Sequence, residues 1–287
     1  METLSNDALL RKRGASVSKS AVRVLLIPVI LYVAFALAVW VFQRRLIYFP
    51  TKLPPQLAES LGAKEGFRAW RNKAGEIIGW QLAVNSHTTG AVLIVHGNAG
   101  SAIDRSYLAE PLHAASPVDV YVLEYPGYGA RSGSPSEQTI LAAADGAFEA
   151  LGGRSPLYIV SESLGTGAAA HLARRQDRKI AGLVLIAPYD KLVSVGQLQM
   201  PFLPVGLMMR DWFNPVDWLK EYRGPVKVVL AEADRSIPAK LGQKLYDSYN
   251  GPKSIEIVRG ADHNDISSQT PEWWKDVFAF LEKNRQR

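Results

Sequence analysis

The sequence alternates between short apolar runs and longer stretches in which apolar residues recur at helical spacing. Several of the short runs are rich in β-branched residues and apolar on both faces, which is typical of strands buried in a parallel sheet. These predicted strands lie at 77–83, 91–96, 118–125, 157–161, 181–187, 226–231 and 254–258. The helix-compatible stretches between them lie at 101–115, 136–151, 165–175, 239–249 and 271–284. This alternation predicts βαβ units, and hence an α/β fold with a mostly parallel sheet covered by helices on both faces.

The segment 191–222 interrupts the alternation by separating two predicted strands with a stretch of different composition. Its centre, MPFLPVGLMM at 200–209, is rich in proline, methionine and leucine. Adaptable methionine side chains suit contact with varied apolar ligands, so one interpretation is a small lid over the carboxyl edge of the sheet. A helix packed into the core explains the same composition, and the sequence does not separate the two.

The first long apolar run, VLLIPVILYVAFALAVWVF at 24–42, contains no charged residue. At a rise of about 1.5 Å per residue, such a helix crosses a hydrocarbon core of about 30 Å. A cleaved signal peptide is the alternative, since the residues ALA at 36–38 have the small-x-small form of a cleavage site. We favour an uncleaved transmembrane helix, because the apolar run continues beyond this site and is followed by two arginines.

These boundaries divide the chain into a basic tail at 1–23, a transmembrane helix at 24–42, a linker at 43–65 and a folded domain at 66–287. The linker contains prolines, which interrupt helices. Five Lys and Arg residues lie in the tail, whereas three lie between the apolar run and residue 52. The positive-inside rule therefore predicts a cytoplasmic N-terminus, with the folded domain on the opposite side of the membrane.

The charge of the chain is concentrated at its beginning. Residues 1–52 hold eight Lys and Arg and two Asp and Glu, so they account for the whole formal charge of +6. The remaining 235 residues carry 25 charges of each sign. Because nucleic-acid binding needs a basic patch on the folded domain, this distribution argues against a nucleic-acid partner. The chain has no cysteine, which excludes disulfides and thiolate catalysis and leaves the compartment undetermined. The oligomeric state is not indicated either.

The stretch LYIVSESLGTG at 157–167 carries the strongest chemical signal. An apolar strand ends here and a helix rich in Gly and Ala begins, with Ser163 in the turn between them. This context is the one that a nucleophile elbow requires, and the strained turn needs small residues two positions before and after the nucleophile. Ser161 and Gly165 meet that need, although the pattern SxSxG departs from the usual GxSxG at its first position. A serine capping a helix explains the same residues.

A serine hydroxyl becomes a good nucleophile only when a base takes its proton, and the base in turn needs an acid that orients it. His263 lies in the polar loop RGADHND after the last predicted strand, downstream of Ser163. The other histidines lie in a polar turn, at an upstream strand end or in predicted helices, and are His87, His96, His113 and His171. His263 is therefore the predicted base.

The acid is predicted from the loop VVLAEADRSIP, which follows another strand and contains Glu232 and Asp234. Asp234 is preferred because it is farther out on the loop and can reach toward His263. Asp262 and Asp265 flank the histidine in sequence and are interpreted as turn formers.

A fourth element is a site that binds the oxyanion formed during acyl transfer. The glycine-bearing loop GNAG at 97–100 follows a strand and opens a helix, so its backbone N–H groups can point toward developing negative charge. The predicted donors are the N–H of Asn98 and that of Leu164, the residue after the nucleophile. His96 is expected to position this loop.

Together these stretches resemble the α/β-hydrolase superfamily, in particular its membrane-anchored serine hydrolases, a group that includes lysophospholipid lipases and protein depalmitoylases. The motifs that carry the resemblance are RRLIYFPT at 44–51, HGNAG at 96–100, EYPGYGARSGSPSE at 124–137, SESLGTG at 161–167, DRSIP at 234–238 and GADHND at 260–265. They span nearly the whole chain beyond residue 43. The resemblance implies an α/β-hydrolase fold and a Ser163, Asp234 and His263 triad acting on esters or thioesters, often of acyl chains.

The expected protein is thus a single-pass membrane serine hydrolase that works through an acyl-enzyme without a metal or cofactor. Its expected partners are the lipid bilayer and an acyl ester or thioester, plausible substrates being lipids or acylated proteins. Two alternatives share these residues: a serine peptidase or amidase, and a catalytically silent protein that keeps the fold for binding.

Overall fold

The computed structural model describes residues 19–82, 88–175 and 179–285. Most of the predicted basic tail, residues 1–18, and the candidate His87 lie outside the described residues. The chain forms two compact units, Met1–Gln43 and Arg44–Arg287.

The strands of the described chain are short and mostly buried. They are β1 (Phe49–Pro50), β2 (Phe67–Arg71), β3 (Ile77–Leu82), β4 (Ala91–Val95), β5 (Ala99–Gly100), β6 (Asp119–Leu123), β7 (Leu157–Glu162), β8 (Ile180–Ile186), β9 (Val226–Ala231) and β10 (Lys253–Val258).

Helices connect most of these strands. They are α1 (Lys19–Ile47), α2 (Pro55–Lys64), α3 (Ser106–Ala115), α4 (Glu137–Ala150), α5 (Gly165–Ala173), α6 (Leu192–Gln199), α7 (Val205–Met208), α8 (Pro215–Trp218), α9 (Ala239–Ser248) and α10 (Pro271–Asn284). A 3₁₀ helix, Ala102–Arg105, precedes α3.

Eight strands form one sheet in the order β10-β9-β8-β7-β4-β6-β3-β2. All neighbouring pairs from β10 to β6 are parallel, whereas β3 runs antiparallel to both β6 and β2. The predicted α/β fold with a mostly parallel sheet is confirmed. The sequence pattern does not predict β2, because its residues FRAWR include two arginines and are only partly buried. Strands β1 and β5 form a separate parallel pair.

The core lies on both faces of the sheet. Along β4, Leu93 and Val95 belong to one buried cluster, together with the buried alanines of α4 and α5. Val92 and Ile94 belong to the other cluster, with the buried faces of α3 and α10. Because successive side chains of a strand point to opposite faces, a central strand covered on both sides must be apolar at every position, as β4 is.

The apolar run at the start of the chain forms helix α1. Within it, the 22 residues Leu26–Ile47 include a window of 18 residues with a mean hydropathy of 2.3, so the helix is long and apolar enough to cross a membrane. The helix continues beyond residue 42, where the sequence analysis ends it.

The stretch predicted as a linker, 43–65, is structured. It contains the last turn of α1, strand β1 and helix α2. Pro54 and Pro55 begin α2 at its N-cap and first position, where the missing N–H removes no helical hydrogen bond. The prolines therefore start a helix here as well as interrupting one.

The segment 191–222 folds as the three short helices α6, α7 and α8. Leu203 and Phe213 are buried, whereas Phe202 and Leu207 are 87% and 90% exposed. The segment is thus three short helices rather than one helix packed into the core, with some of its apolar residues buried and others exposed, and a lid over the carboxyl edge stays a prediction.

Candidate active site

Ser163 stands in the sharp turn between β7 and α5. Its φ of +48° lies in the left-handed region, which is uncommon for a residue other than glycine. The turn is held by a hydrogen bond from the Ser163 N–H to Ile186 O (2.9 Å) and by one from the Thr166 N–H to Ser163 O (3.0 Å). A Cβ added to Gly165 would lie 2.1 Å from the carbonyl oxygen of Val95, so this position requires glycine. This strained strand-to-helix turn is the one that the sequence predicts.

Ser161 stands where the usual pattern has glycine, and its side chain fits inside the protein. Its side chain is fully buried, and its hydroxyl donates a weak hydrogen bond to Val184 O (3.4 Å). A small polar side chain therefore fits this place in the strand.

The three predicted residues Ser163, His263 and Asp234 lie in hydrogen-bonding contact. Nε2 of His263 is 3.1 Å from Oγ of Ser163, and Nδ1 of His263 is 2.7 Å from Oδ2 of Asp234. The Asp234 side chain is 1% exposed, and its other oxygen accepts the N–H groups of Ser236 (2.8 Å) and Ile237 (2.7 Å). Such bonds stabilise a buried carboxylate and fix the oxygen that faces the imidazole.

Strand register explains why residues so distant in sequence meet. In the parallel pairs, Val95 lies opposite Ser161, and Ala231 lies opposite Val258. The loops carrying Asn98, Ser163, Asp234 and His263 all leave the carboxyl ends of these strands. Ligands of open α/β sheets bind at this edge.

The rejected acid candidates have other partners. Glu232 accepts the backbone N–H of Gly260 (2.9 Å), and Asp265 accepts that of Asp262 (2.9 Å), as a turn former does.

Asp262 does more than form a turn, and its role was missed from the sequence. Its Oδ1 accepts the backbone N–H groups of His263 (2.8 Å) and Arg235 (3.1 Å), while its Oδ2 accepts Nε and Nη2 of Arg235 (2.9 and 2.7 Å). The hydrogen bond from His263 and those from Arg235 lower the pKa of Asp262 to about 2. Asp262 thereby joins the loop of the histidine to the loop of Asp234. The signal in the sequence is the Arg that follows Asp234 and the Asp that precedes His263.

The predicted oxyanion donors are free to bind a ligand atom. Within the described chain, the backbone N–H groups of Asn98 and Leu164 donate to no protein acceptor. Leu164 is the N-cap residue of α5, so its N–H lies at the positive end of that helix. Both donors therefore meet the chemical requirement for an oxyanion site.

His96 is buried beneath the loop of Asn98. Its Nδ1–H donates to Gly97 O (2.8 Å), and its ring packs against that of Tyr125 with centroids 4.1 Å apart. Burial, followed by the positive charge of Arg105, lowers the pKa of His96 well below its ordinary value, so the ring is neutral. This contact is the kind expected of a residue that positions the loop.

Glu124 is a buried carboxyl group that the sequence analysis did not single out. Its side chain accepts Nε1–H of Trp80 (3.1 Å) and the backbone N–H of Ala102 (2.9 Å), and Nε2 of His96 lies 3.9 Å away. Burial raises the pKa of Glu124 to about 7.

A cavity of about 300 Å³ opens over Ser163. Part of its wall is polar: Tyr107 donates its hydroxyl to Glu162 (2.8 Å), and Nε of Arg105 lies 3.1 Å from the same carboxylate. Residues of 191–222 do not line this cavity. Among the described residues, no group of three or more His, Asp and Glu side chains could hold a metal ion.

Comparison with known proteins gives consistent results. A family model for the alpha/beta hydrolase fold matches residues 90–244, which include Ser163 and Asp234. An uncharacterized protein of Mycobacterium tuberculosis is 35% identical over 251 residues, covering 83% of this chain and 88% of that protein. The lysophosphatidylserine lipase ABHD12 of Xenopus tropicalis is 29% identical over 202 residues, covering 62% of this chain and about half (51%) of the lipase.

Solved structures agree on the fold. The Pyrococcus furiosus esterase Pf2001 aligns with a TM-score of 0.59 at 15% identity, covering 84% of this chain and 98% of the esterase. The Paleococcus ferrophilus monoacylglycerol lipase aligns with a TM-score of 0.53 at 18% identity, covering 72% and 99%. The family match and the strand order together place this protein in a known group: the chain belongs to the alpha/beta hydrolase family.

Proposed function

We propose that this protein is a membrane-anchored serine hydrolase that cleaves carboxylic ester or thioester bonds through an acyl-enzyme. The observation that carries the proposal is the hydrogen-bonded chain from Ser163 Oγ through the His263 ring to Asp234, beside an open cavity. The similarity to a lysophosphatidylserine lipase supports the same class of reaction.

In the first half-reaction, Ser163 Oγ attacks the acyl carbonyl carbon while its proton passes to Nε2 of His263. Asp234 accepts the Nδ1–H of His263 and so stabilises the imidazolium that forms. The carbonyl oxygen becomes an oxyanion bound by the N–H groups of Asn98 and Leu164. The bond to the leaving group then breaks, and His263 returns the proton to the departing alcohol or thiol.

In the second half-reaction, water attacks the acyl-enzyme while His263 takes one of its protons. Collapse of the second tetrahedral intermediate releases the carboxylic acid and returns the proton to Ser163. Ser163 and His263 thereby return to their starting protonation states, and the steps require no cofactor.

The proposed substrates are lipid esters or acylated proteins. Two observations support this class: the apolar segment Leu26–Ile47, which suits a membrane, and the similarity to a lysophosphatidylserine lipase. A hydrolase anchored beside a bilayer meets acyl chains at high local concentration.

Anchoring and orientation belong to the same proposal. With the N-terminus in the cytoplasm, the hydrolase domain faces the other side of the membrane, as the excess of Lys and Arg before the span favours. A reporter fused to the C-terminus tests this, and activity of the reporter in the cytoplasm contradicts it. Full-length mass in the membrane fraction separates an uncleaved anchor from a cleaved signal peptide.

The decisive experiment labels the full chain in membranes with a fluorophosphonate probe. We expect labelling of the wild type, none of Ser163→Ala, and undiminished labelling of Ser267→Ala, a second serine that lines the same cavity. Unchanged labelling of Ser163→Ala refutes the assignment of the nucleophile. Turnover of acyl esters, acyl thioesters and peptide amides then tests the bond type, and faster turnover of amides refutes the proposed class.

A further inference from the structure

The residues that follow the apolar segment pair directly with the loop of Asn98. The N–H of Phe49 donates to Asn98 O (2.8 Å), and the N–H of Thr51 donates to Gly100 O (2.8 Å). In return, Nδ2 of Asn98 donates to Ile47 O (2.9 Å). Three hydrogen bonds thus join the segment Ile47–Thr51 to the loop Asn98–Gly100.

This loop is not held by the large sheet. Its strand, β5, pairs only with β1 among the described strands, and Gly100 has a left-handed φ of +83°. The other bonds to the loop come from Tyr128, whose hydroxyl donates to Asn98 O (2.7 Å), and from Arg105, which donates to Ala99 O (2.8 Å). The segment Ile47–Thr51 therefore supplies three of these hydrogen bonds, in addition to pairing with the loop as strand β1.

These bonds restrain the residue whose N–H is the proposed donor, Asn98. The N–H and C=O of a trans peptide unit point in opposite directions. His96 binds the carbonyl oxygen of Gly97, which belongs to the same peptide unit as the Asn98 N–H. Phe49 and Ile47 bind the carbonyl oxygen and the side chain of Asn98 itself. The peptide unit is thus restrained through the Gly97 carbonyl on one side and through the rest of Asn98 on the other.

The segment is itself fastened at its beginning. Arg44 donates two hydrogen bonds to the carboxylate of Asp211, through Nε and Nη2 (3.0 Å each), and the hydroxyl of Tyr48 donates to the same group (3.0 Å). The Asp211 side chain is 2% exposed. Its two-point hydrogen bonding with the Arg44 guanidinium fixes the relative orientation of the two groups. The backbone from residue 44 to residue 51 is therefore fixed between Asp211 and the loop of Asn98.

We propose that Ile47–Thr51, the end of helix α1 together with strand β1, is a positioning element of the active site that holds the Asn98 N–H in place as an oxyanion donor. The inference rests on the proposed function, because it needs the oxyanion step. Displacement of the donor removes stabilisation from the transition state and little from the bound substrate. It therefore lowers kcat and leaves KM nearly unchanged.

The test replaces Phe49 by proline in the full chain, which removes the N–H that binds Asn98 O. We expect kcat to fall at least about tenfold, since removal of one oxyanion donor costs roughly 10²- to 10³-fold and displacement costs part of that. KM is expected to change less than about threefold. Phe49→Ala keeps the N–H, and its side chain is half exposed, so this variant is expected to recover most of kcat.

The matched control is Lys52→Pro, three residues further on. The Lys52 N–H donates to no acceptor within the described chain, so the same replacement breaks no hydrogen bond there. We expect its kcat to stay within about twofold of the wild type, because the loop of Asn98 keeps all its partners. Thermal unfolding in detergent checks that the proline variants are folded.

If Phe49→Pro fails to fold, Asn98→Ala provides the second variant, because it removes the bond to Ile47 O and keeps the backbone N–H. A fall in kcat at constant KM supports the inference. Wild-type kcat in the folded Phe49→Pro and Asn98→Ala variants overturns it, as does an equal loss in Lys52→Pro. These outcomes leave the proposed function standing, whereas an inactive wild type or unchanged labelling of Ser163→Ala overturns the proposed function itself.

Discussion

The buried carboxyl group of Glu124 makes the stability of this protein depend on pH in a predictable direction. Burial raises its pKa from 4.5 to about 7. The folded state therefore binds this proton more tightly than the unfolded chain does. The group favours folding most below pH 4.5, and that contribution is lost as the pH rises through 7.

The size of the effect follows from the two pKa values. Between pH 5 and pH 8, ionisation of Glu124 lowers the free energy of unfolding by roughly 2–3 kcal/mol, at about 1.4 kcal/mol per pKa unit. The nearby charges of Asp104 and Arg105 act in opposite directions on the Glu124 pKa and are smaller causes than burial. Burial also lowers the pKa of His96, which lies 3.9 Å from Glu124, well below its ordinary value.

The perturbation is Glu124→Gln, which cannot ionise and keeps nearly the same shape. The amide nitrogen of glutamine cannot accept a hydrogen bond, so the variant loses the bond to Trp80 or to Ala102, and its remaining bonds do not change with pH. The assay is denaturant unfolding in detergent micelles at pH 5 and pH 8. Relative to the wild type, the free energy of unfolding of the variant is expected to be roughly 2–3 kcal/mol more favourable at pH 8 than at pH 5.

The exposed Glu149→Gln serves as the control for the effect of a Glu-to-Gln replacement outside the core. Equal pH dependence of wild type and Glu124→Gln refutes the reasoning, because it means that the Glu124 pKa is not raised. The reasoning is refuted as well if the variant becomes more stable relative to the wild type at pH 5 than at pH 8, because a lowered pKa of Glu124 gives that sign.

Two further predictions concern the turn of the nucleophile and the loop of the base. Gly165→Ala is expected to lose about 1–3 kcal/mol of stability and most activity, because the added Cβ meets a backbone carbonyl. Its control is Gly146→Ala, a helical position with open space, which should be neutral or stabilising. Thermal unfolding of both variants measures the difference. Asp262→Asn is expected to lower kcat about tenfold with little change in KM, by loosening His263. Arg235→Ala should have a similar effect, and the double variant should lose no more than either; additive losses in steady-state kinetics contradict the link.

Much of the site was predictable from local sequence. A strand, a turn and a small-residue helix around Ser163 define the elbow, because only small side chains tolerate the close approach of Gly165 to Val95. His263 and Asp234 stand directly after strands, and parallel strands bring their carboxyl ends to one edge. These inferences need only strand positions and chain order.

Features that depend on contacts across the fold were not predictable in this way. Asp262 reads as a turn residue because its partner Arg235 lies on a different loop, 27 residues away in sequence. Glu124 lies at the end of the predicted strand 118–125, but only the fold brings it to Trp80 and Ala102, which bind its carboxyl group in the core.

The stretch after the apolar segment shows most clearly which features follow from local sequence and which depend on tertiary contacts. By itself the sequence determined that a helix ends there, that prolines follow, and that a parallel α/β domain with its nucleophile at a strand end comes next. These properties follow from local periodicity and turn chemistry, which act between residues close in the chain. Only the tertiary structure decided that Ile47–Thr51 pairs with Asn98–Gly100, because two such short strands have no pattern of their own and are stabilised by the partner that the folded domain presents.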